Sequence, residues 1–153
     1  MGDYESDLST DEKIIMALVR AAEQYKKESG DIFRKYGLTF SQYNALRVLD
    51  ASAHGRSTIT NVSRTMLVSG ANMTGVAKRL EKAGFLYRKG DPSDERLTLL
   101  VISSKGKETL QQISKEKDRF VEDYLSGYSP EEKGMFFSML KKVIKKRPQR
   151  RAA

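Results

Sequence analysis

Residues 58–103 read TITNVSRTMLVSGANMTGVAKRLEKAGFLYRKGDPSDERLTLLVIS and contain the features that decide the fold. Two segments with apolar residues at helical spacing are separated by a tight turn, and two short apolar runs typical of strands follow them. A charged loop containing Gly90 and Pro92 joins these runs and is too long for a two-residue turn. This order predicts a helix-turn-helix followed by a β-hairpin wing.

The two helices of this segment have recognisable boundaries. Thr58 can cap the first helix, and Leu67–Val68 form the turn. Ser69 can cap the second helix and Gly84 ends it. The strands are predicted at residues 85–89 and 97–102. The residues expected to face the core are Val62 and Met66 in the first helix and Met73, Val76, Ala77 and Leu80 in the second.

Amphipathic helices are predicted before this module. Ser9 and Glu12 form a capping-box pattern, and apolar residues at helical spacing continue to Tyr36. We therefore expect one long helix over residues 9–36 that tolerates Gly30 and stops at Gly37. A helix over residues 41–51 follows, with Tyr43, Leu46 and Leu49 facing inward.

Two more helices are predicted after the wing. Ser103 can cap a helix that reaches about residue 125, and the capping box from Ser129 to Glu132 opens the last one. The expected fold is mainly α with a small β-hairpin wing (α+β), in one domain over residues 1–153. Its parts are an N-terminal dimerisation helix at 9–36, a DNA-binding module at 38–103, dimerisation helices at 104–147 and a basic disordered tail at 148–153.

The composition favours a polyanionic partner. Lys and Arg number 28 against 20 Asp and Glu, giving a formal net charge of +8, and nucleic acid is the commonest polyanion. No long apolar run or signal peptide is found, so we expect a soluble cytoplasmic protein that does not enter a membrane. Cys is absent and His54 is the only histidine, which leaves no metal cluster, cofactor motif or nucleophile–base set. An enzyme is not expected.

The exposed side of the second helix has the chemistry of a major-groove reader. Asn72 can pair with an adenine edge, Thr74 can contact a phosphate or a thymine methyl, and Gly75 permits close approach. Ser69 can help to hold a phosphate at the helix start. The candidate DNA contacts on this helix are Ser69, Ala71, Asn72, Thr74, Gly75, Lys78 and Arg79. A merely solvated polar face remains the alternative for these residues taken alone.

The wing supplies further candidates: Lys89, Asp94 and Arg96. Acidic residues in the loop would repel phosphates if they pointed outward. We therefore expect Asp94 to orient the Arg96 guanidinium through a bidentate pair. Arg96 would then reach a narrow minor groove. An ordinary salt-bridged hairpin is the alternative.

The chain resembles the multiple-antibiotic-resistance regulator (MarR) family of winged helix-turn-helix transcription factors. The resemblance rests on LTFSQYNALRVL at 38–49, SGANMTGVAKRLEKAG at 69–84 and DPSDERLTLLVISSKGKETL at 91–110. The last contains the Asp-Pro-x-Asp-x-Arg wing signature and is the most specific match. The chain departs from the family pattern at two places. Glu95 stands where many members have Arg, which predicts a lower affinity at the wing tip, and the Thr58 helix start lacks the usual acidic third residue, which predicts a less firmly capped helix.

The resemblance implies a homodimer, joined through its first and last two helices, that places two wings on a palindromic operator in double-stranded DNA. It also implies a regulator, usually a repressor, released by a small aromatic or phenolic anion. The ligand-binding candidates are Arg20, Tyr36, Tyr43 and Arg47, although a tyrosine at helical spacing is more often a core residue. A nonspecific or architectural nucleic-acid-binding protein is the alternative function. The operator, the effector and the role of the tail stay open.

Overall fold

The computed structural model describes residues 7–66 and 70–146. Within these ranges the chain forms helices α1 (Thr10–Arg34), α2 (Phe40–Ala51), α3 (Ile59–Met66), α4 (Gly70–Lys82), α5 (Ser104–Tyr124) and α6 (Pro130–Lys145). The strands are β1 (Arg56–Thr58), β2 (Leu86–Gly90) and β3 (Thr98–Ile102), and a short 3-10 turn, Ala53–Gly55, precedes β1. The predicted winged helix-turn-helix class is confirmed. The predicted turn Leu67–Val68, the cap Ser69 and the tail at 148–153 lie outside the described residues.

The chain divides into two compact units, residues 1–117 and 118–153. In the described part, the first unit contains α1 to α4, the sheet and most of α5. The second contains the end of α5 and the whole of α6. The helix-turn-helix and the wing therefore belong to the same unit.

The sheet is antiparallel with the order β1-β3-β2. Tyr87 and Arg56 both lie opposite Val101 on the central strand, and Gly90 lies opposite Thr98 next to the wing loop. The prediction of two strands was therefore incomplete, because β1 is a third. Its three residues are too few and too polar for periodicity to reveal them.

The core of the first unit includes most of the predicted core positions, together with residues such as Leu38 that were not predicted. Residues with at most 1% exposure include Phe33, Leu38, Leu46, Leu49, Val62, Met73, Ala77, Leu80, Leu100 and Ile113. Met66 and Val76, which we expected to be buried, are only half-buried. Both border an open groove between α3 and α4, so the prediction was wrong for these two residues.

Side-chain caps fix most of the helix starts. The capping boxes of Ser9 with Glu12 and of Ser129 with Glu132 are confirmed. Thr58 accepts a hydrogen bond from the backbone N–H of Asn61, at 3.2 Å. The backbone of α5 starts in the same way, since the Gly106 N–H donates to the Ser103 hydroxyl at 3.1 Å.

The long first helix is continuous through Gly30 and ends at Arg34, two residues earlier than expected. Gly37 has φ +77°, a conformation that favours glycine, and its N–H donates to the Arg34 carbonyl at 3.1 Å. The next N–H, of Leu38, reaches back to Phe33 at 3.1 Å. This pair of bonds ends α1 and leads the buried Leu38 into the core.

Two helices expose apolar side chains. In the first half of α1 these are Ile14, Ile15, Met16 and Val19, each about half exposed. In α6 they are Met135, Phe136, Phe137, Met139, Val143 and Ile144, and this helix has no buried residue. None of the described helices is long and apolar enough to cross a membrane.

Candidate nucleic-acid interface

One side of helix α4 packs into the core, and the other side is exposed. Met73, Ala77 and Leu80 are buried, each at 1% exposure or less. This spacing of three and four residues fixes the rotation of the helix, so the side opposite these three residues faces outward. The predicted contact residues Ala71, Asn72, Thr74, Lys78 and Arg79 are exposed, and Gly75 is half-buried.

The cations of this helix are available to a ligand. Among the described residues, no carboxylate lies within ion-pair distance of Lys78 or Arg79. Thr74 donates its hydroxyl proton to the Gly70 carbonyl at 2.9 Å, which leaves its methyl group and the oxygen lone pairs for a partner. Contact with a thymine methyl therefore suits Thr74 better than donation to a phosphate.

A groove of about 400 Å³ runs beside α4. Ser41 borders it from the first turn of α2, Met66 from the end of α3, and Asn72, Gly75 and Arg79 from α4. Ser41 was absent from the predicted contacts. A usable signal existed, because Thr39 and Gln42 form a capping box that marks the start of α2.

The wing loop is held by its own polar groups. The Asp91 N–H donates to the Leu97 carbonyl and the Leu97 N–H to the Asp94 carbonyl, both at 3.0 Å. The backbone N–H and the hydroxyl of Ser93 both donate to the Asp91 carboxylate, at 2.8 and 2.7 Å. These two hydrogen bonds lower the pKa of Asp91, and the bond from the Ser93 hydroxyl has the larger effect. The positive charge of Arg56 lowers the pKa further.

The expected bidentate pair between Asp94 and Arg96 is not formed in the described structure. Asp94 Oδ1 instead accepts the backbone N–H of Arg96, at 3.0 Å. A carboxylate two residues before an amide reaches that amide easily, and this local bond closes the turn. The carboxylate therefore shapes the backbone of the loop, while the Arg96 side chain stays exposed.

The other basic residues of the wing differ in their partners. Arg88 Nε donates to Glu81 Oε2 at 2.8 Å, which ties β2 to α4 and occupies that guanidinium. Lys89 is exposed on β2 opposite Leu99. Ser69, the remaining predicted contact, lies outside the described residues.

The four ligand-binding candidates have different surroundings. Tyr43 is 6% exposed and stacks on Phe33, with ring centroids 3.9 Å apart and planes 11° apart. This packing favours the alternative of a core residue, and a part for Tyr43 in a ligand pocket stays a prediction. Tyr36 is half-buried, and Arg20 is exposed on α1. Arg47 borders a cavity of about 340 Å³ between α2 and α3 that is also lined by Asn44 and Thr65.

Metal ligation finds no support in the part of the chain that the structure describes. No group of three or more His, Asp or Glu side chains there is arranged to hold a metal ion. His54 lies on the exposed surface, in a left-handed conformation with φ +58°.

Comparison with known proteins identifies the family. A sequence model described as the MarR family matches residues 36–97. The chain is 28% identical to the HTH-type transcriptional regulator MhqR of Bacillus subtilis over 131 residues, 86% of this chain and 89% of MhqR. The chain belongs to the MarR family. It is a DNA-binding transcriptional regulator of that family.

Solved structures of MarR-type fold agree over nearly the whole chain. Sco3205, a MarR family regulator from Streptomyces coelicolor in complex with DNA, has a TM-score of 0.83 and 20% identity, covering 99% of this chain and 96% of its own. BpsR from Bordetella bronchiseptica, whose DNA binding is regulated by 6-hydroxynicotinic acid, has a TM-score of 0.81 and 20% identity, covering 93% and 100%. These similarities establish the fold of this MarR-family protein.

Proposed function

We propose that this MarR-family regulator is a repressor that binds a palindromic DNA operator as a homodimer. One observation carries the proposal. Helix α4 has small and polar side chains on its open side, and its Lys78 and Arg79 pair with no carboxylate among the described residues. It lies in the same compact unit as a wing with an exposed arginine. This combination matches the two grooves of one half-site.

In this proposal α4 enters the major groove. Ala71, Thr74 and Gly75 are small enough for close approach, and Asn72 is the candidate for adenine recognition. Lys78 and Arg79 then reach the phosphates or a guanine edge. Ser41 is added to this set, because the groove that it borders is the one lined by Asn72 and Arg79.

The wing contacts the neighbouring minor groove through Arg96, with Lys89 on a phosphate. The Asp94 bond to the Arg96 backbone supports this role, because it orders the loop without neutralising the guanidinium. Arg88 is left out of the interface since it already pairs with Glu81.

The homodimer forms through α1, α5 and α6, the helices assigned to dimerisation in the predicted domain organisation. The support is the exposed apolar surface on α1 and α6, which is too extensive to be left in water. A second copy offers the same surface and buries both, which is the isologous arrangement that a palindromic operator requires.

Release from DNA depends on a small aromatic or phenolic anion. BpsR, whose DNA binding is regulated by 6-hydroxynicotinic acid, a compound of this class, has the same fold as this protein, and this similarity of fold supports the proposal. Arg20, Tyr36 and Arg47 remain the candidate contacts, with Arg47 the best placed because it borders a cavity. Tyr43 stays a prediction that its packing against Phe33 does not favour.

The experiment is a selection from random double-stranded DNA with the full-length protein, followed by fluorescence anisotropy on the enriched sequence. We expect a palindromic consensus, two chains per site and a preference of about 10³ or more over scrambled DNA. The scrambled duplex of equal length is the matched control. The protein should bind the enriched duplex and the scrambled duplex more weakly as the salt concentration rises, because phosphate contacts contribute to binding of both.

The net charge of +8 also favours nonspecific binding, and the same experiment separates the two functions. An architectural protein would return no consensus and bind both duplexes alike. That result would reject sequence-specific repression while leaving family membership untouched.

A further inference from the structure

The wing sheet borders a second cavity, of about 570 Å³, at the end of β3 farthest from the wing loop. Tyr87 of β2 and Val101 of β3 lie on one side of it, and Ser104, Lys105 and Lys107 of the first turn of α5 lie on another. His54, from the turn before β1, also borders it. None of these residues belongs to the proposed DNA interface.

The lining of this cavity is basic. It includes two lysines and the only histidine of the chain, and no carboxylate. Lys105 is held in place, because its Nζ donates to the Ala83 carbonyl at 2.7 Å and lies 4.6 Å from the centroid of the Phe85 ring. An ammonium group has three donors, so Lys105 keeps further N–H groups for a ligand.

Lys107 is the available cation. Among the described residues it has no carboxylate within ion-pair distance. The end of its side chain lies beside the turn before β1, since a Cβ built on Gly55 would be 3.9 Å from Lys107 Nζ. Lys107 lines the same cavity as His54 and Lys105, and no carboxylate is in the lining, so the site has a positive potential that favours an anion carrying more than one charge.

An aromatic wall completes the site. Tyr87 is 50% exposed although it lies in the middle of a strand pair, and its cross-strand neighbour Val101 is 9% exposed. A ring that stacks on Tyr87 would cover this aromatic surface and reach Val101. The lining of the cavity therefore combines two lysines with one exposed aromatic side chain.

We propose that this cavity binds a small aromatic compound that carries a phosphate group. The phosphate accepts hydrogen bonds from Lys105, Lys107 and the Ser104 hydroxyl, and the ring packs on Tyr87. A phosphomonoester is favoured over a carboxylate because its second charge matches the number of cations.

The cavity and Arg96 lie toward opposite ends of β3. Arg96 is in the wing loop before β3 begins at Thr98, whereas the cavity borders Val101 and Ile102. A ligand in the cavity therefore lies away from Arg96, whereas Lys89, two positions from Tyr87 on β2, is the proposed DNA contact nearest to it in sequence. The site is also distinct from the effector candidates Arg20, Tyr36 and Arg47, and it does not rest on the proposed function.

The test is isothermal titration calorimetry on the full-length protein without DNA, with phenyl phosphate as the probe. We expect one site per chain and affinity about tenfold or more above that of inorganic phosphate or phenol, because each of these lacks one part of the ligand. Lys107→Gln should weaken phenyl phosphate binding about tenfold. Lys115→Gln, which removes the same charge from an exposed position farther along α5, should leave it unchanged.

Tyr87→Thr provides an independent readout. It keeps a residue with good strand propensity and removes the ring, so it should weaken phenyl phosphate but not inorganic phosphate. Equal losses in the two lysine variants would mean that the net charge alone attracts the probe and would overturn the site. So would equal affinities for phenyl phosphate and phosphate. Because no DNA is present, failure of the operator selection does not affect the result.

Discussion

Arg96 is the residue on which the wing assignment depends. Its side chain is exposed, and its backbone N–H is fixed by Asp94 at 3.0 Å. We expect Arg96→Ala to weaken operator binding about tenfold, since it removes an arginine from the minor groove while the bond to Asp94 stays. Fluorescence anisotropy on the selected operator measures the change, and circular dichroism checks that the fold is intact.

Arg88→Ala is the matched control for Arg96. It removes the same side chain from the same hairpin, but this guanidinium is engaged by Glu81 at 2.8 Å. The loss of an exposed ion pair costs little, so operator affinity should change by less than about threefold. A larger loss for Arg88→Ala than for Arg96→Ala would reverse the assignment of the two arginines.

The types of residue in the site could be predicted from the sequence, but not their partners. The buried spacing of Met73, Ala77 and Leu80 determines which side of α4 is open, and periodicity reveals it. The bond that Asp94 makes was mispredicted, since a local backbone amide and a guanidinium compete for one carboxylate and only geometry decides between them. Tyr43 shows the same limit, because its stacking on Phe33 depends on a contact between two helices.

At the level of elements, α5 must approach the wing sheet closely at Gly106. A Cβ at this position would collide with the Phe85 carbonyl oxygen and with the Ile102 side chain. We therefore expect Gly106→Ala to destabilise the first unit by about 2–3 kcal/mol, because the clash involves backbone that cannot move away cheaply. Urea unfolding followed by circular dichroism measures this loss as a lower midpoint.

Gly75→Ala is the matched control for Gly106→Ala, because Gly75 also lies inside a helix. It makes the same change inside α4, where a Cβ would meet nothing within 4 Å. Since alanine favours the helix by about 0.5–1 kcal/mol, this variant should be slightly more stable than the parent. If Gly106→Ala were also stabilising, the close packing of α5 on the sheet would be incorrect.

The elements themselves were predicted where local chemistry defines them. Capping residues and a terminal glycine located α1, α6 and the start of α5, because these signals act within one helical turn. Strand β1 was missed, since Arg56, Ser57 and Thr58 become a strand only by pairing with β3. Such pairing is a tertiary contact and leaves no period in three residues.

At the scale of the whole molecule, the exposed apolar surface of α1 and α6 is the main feature that one chain leaves unexplained. The described part of α6 has no buried residue: Met135, Phe137 and Ile144 are more than 60% exposed, and three more apolar side chains are about half exposed. A helix with so wide an apolar surface does not remain in water. The two-fold operator proposed for α4 and the wing calls for a second copy at this surface.

We therefore expect the parent protein to be a dimer at micromolar concentration and Phe136→Glu to weaken dimerisation about 100-fold or more. Phe136 is 48% exposed in the single chain, and a carboxylate there would have to be buried without a partner in the dimer. Ser138→Glu adds the same charge at an exposed polar position of α6 and should remain dimeric. Light scattering after size exclusion measures the mass of each variant.

Operator binding should be lost together with dimerisation. A dimer contacts both half-sites of the operator, whereas a monomer contacts only one. Phe136→Glu should therefore lose the preference for the full palindrome while it keeps weak, salt-sensitive binding to any duplex. Ser138→Glu should bind as the parent does. A parent protein that is monomeric in light scattering, or a monomeric Phe136→Glu variant with full operator affinity, would show that α6 serves another purpose and that each chain reads DNA alone.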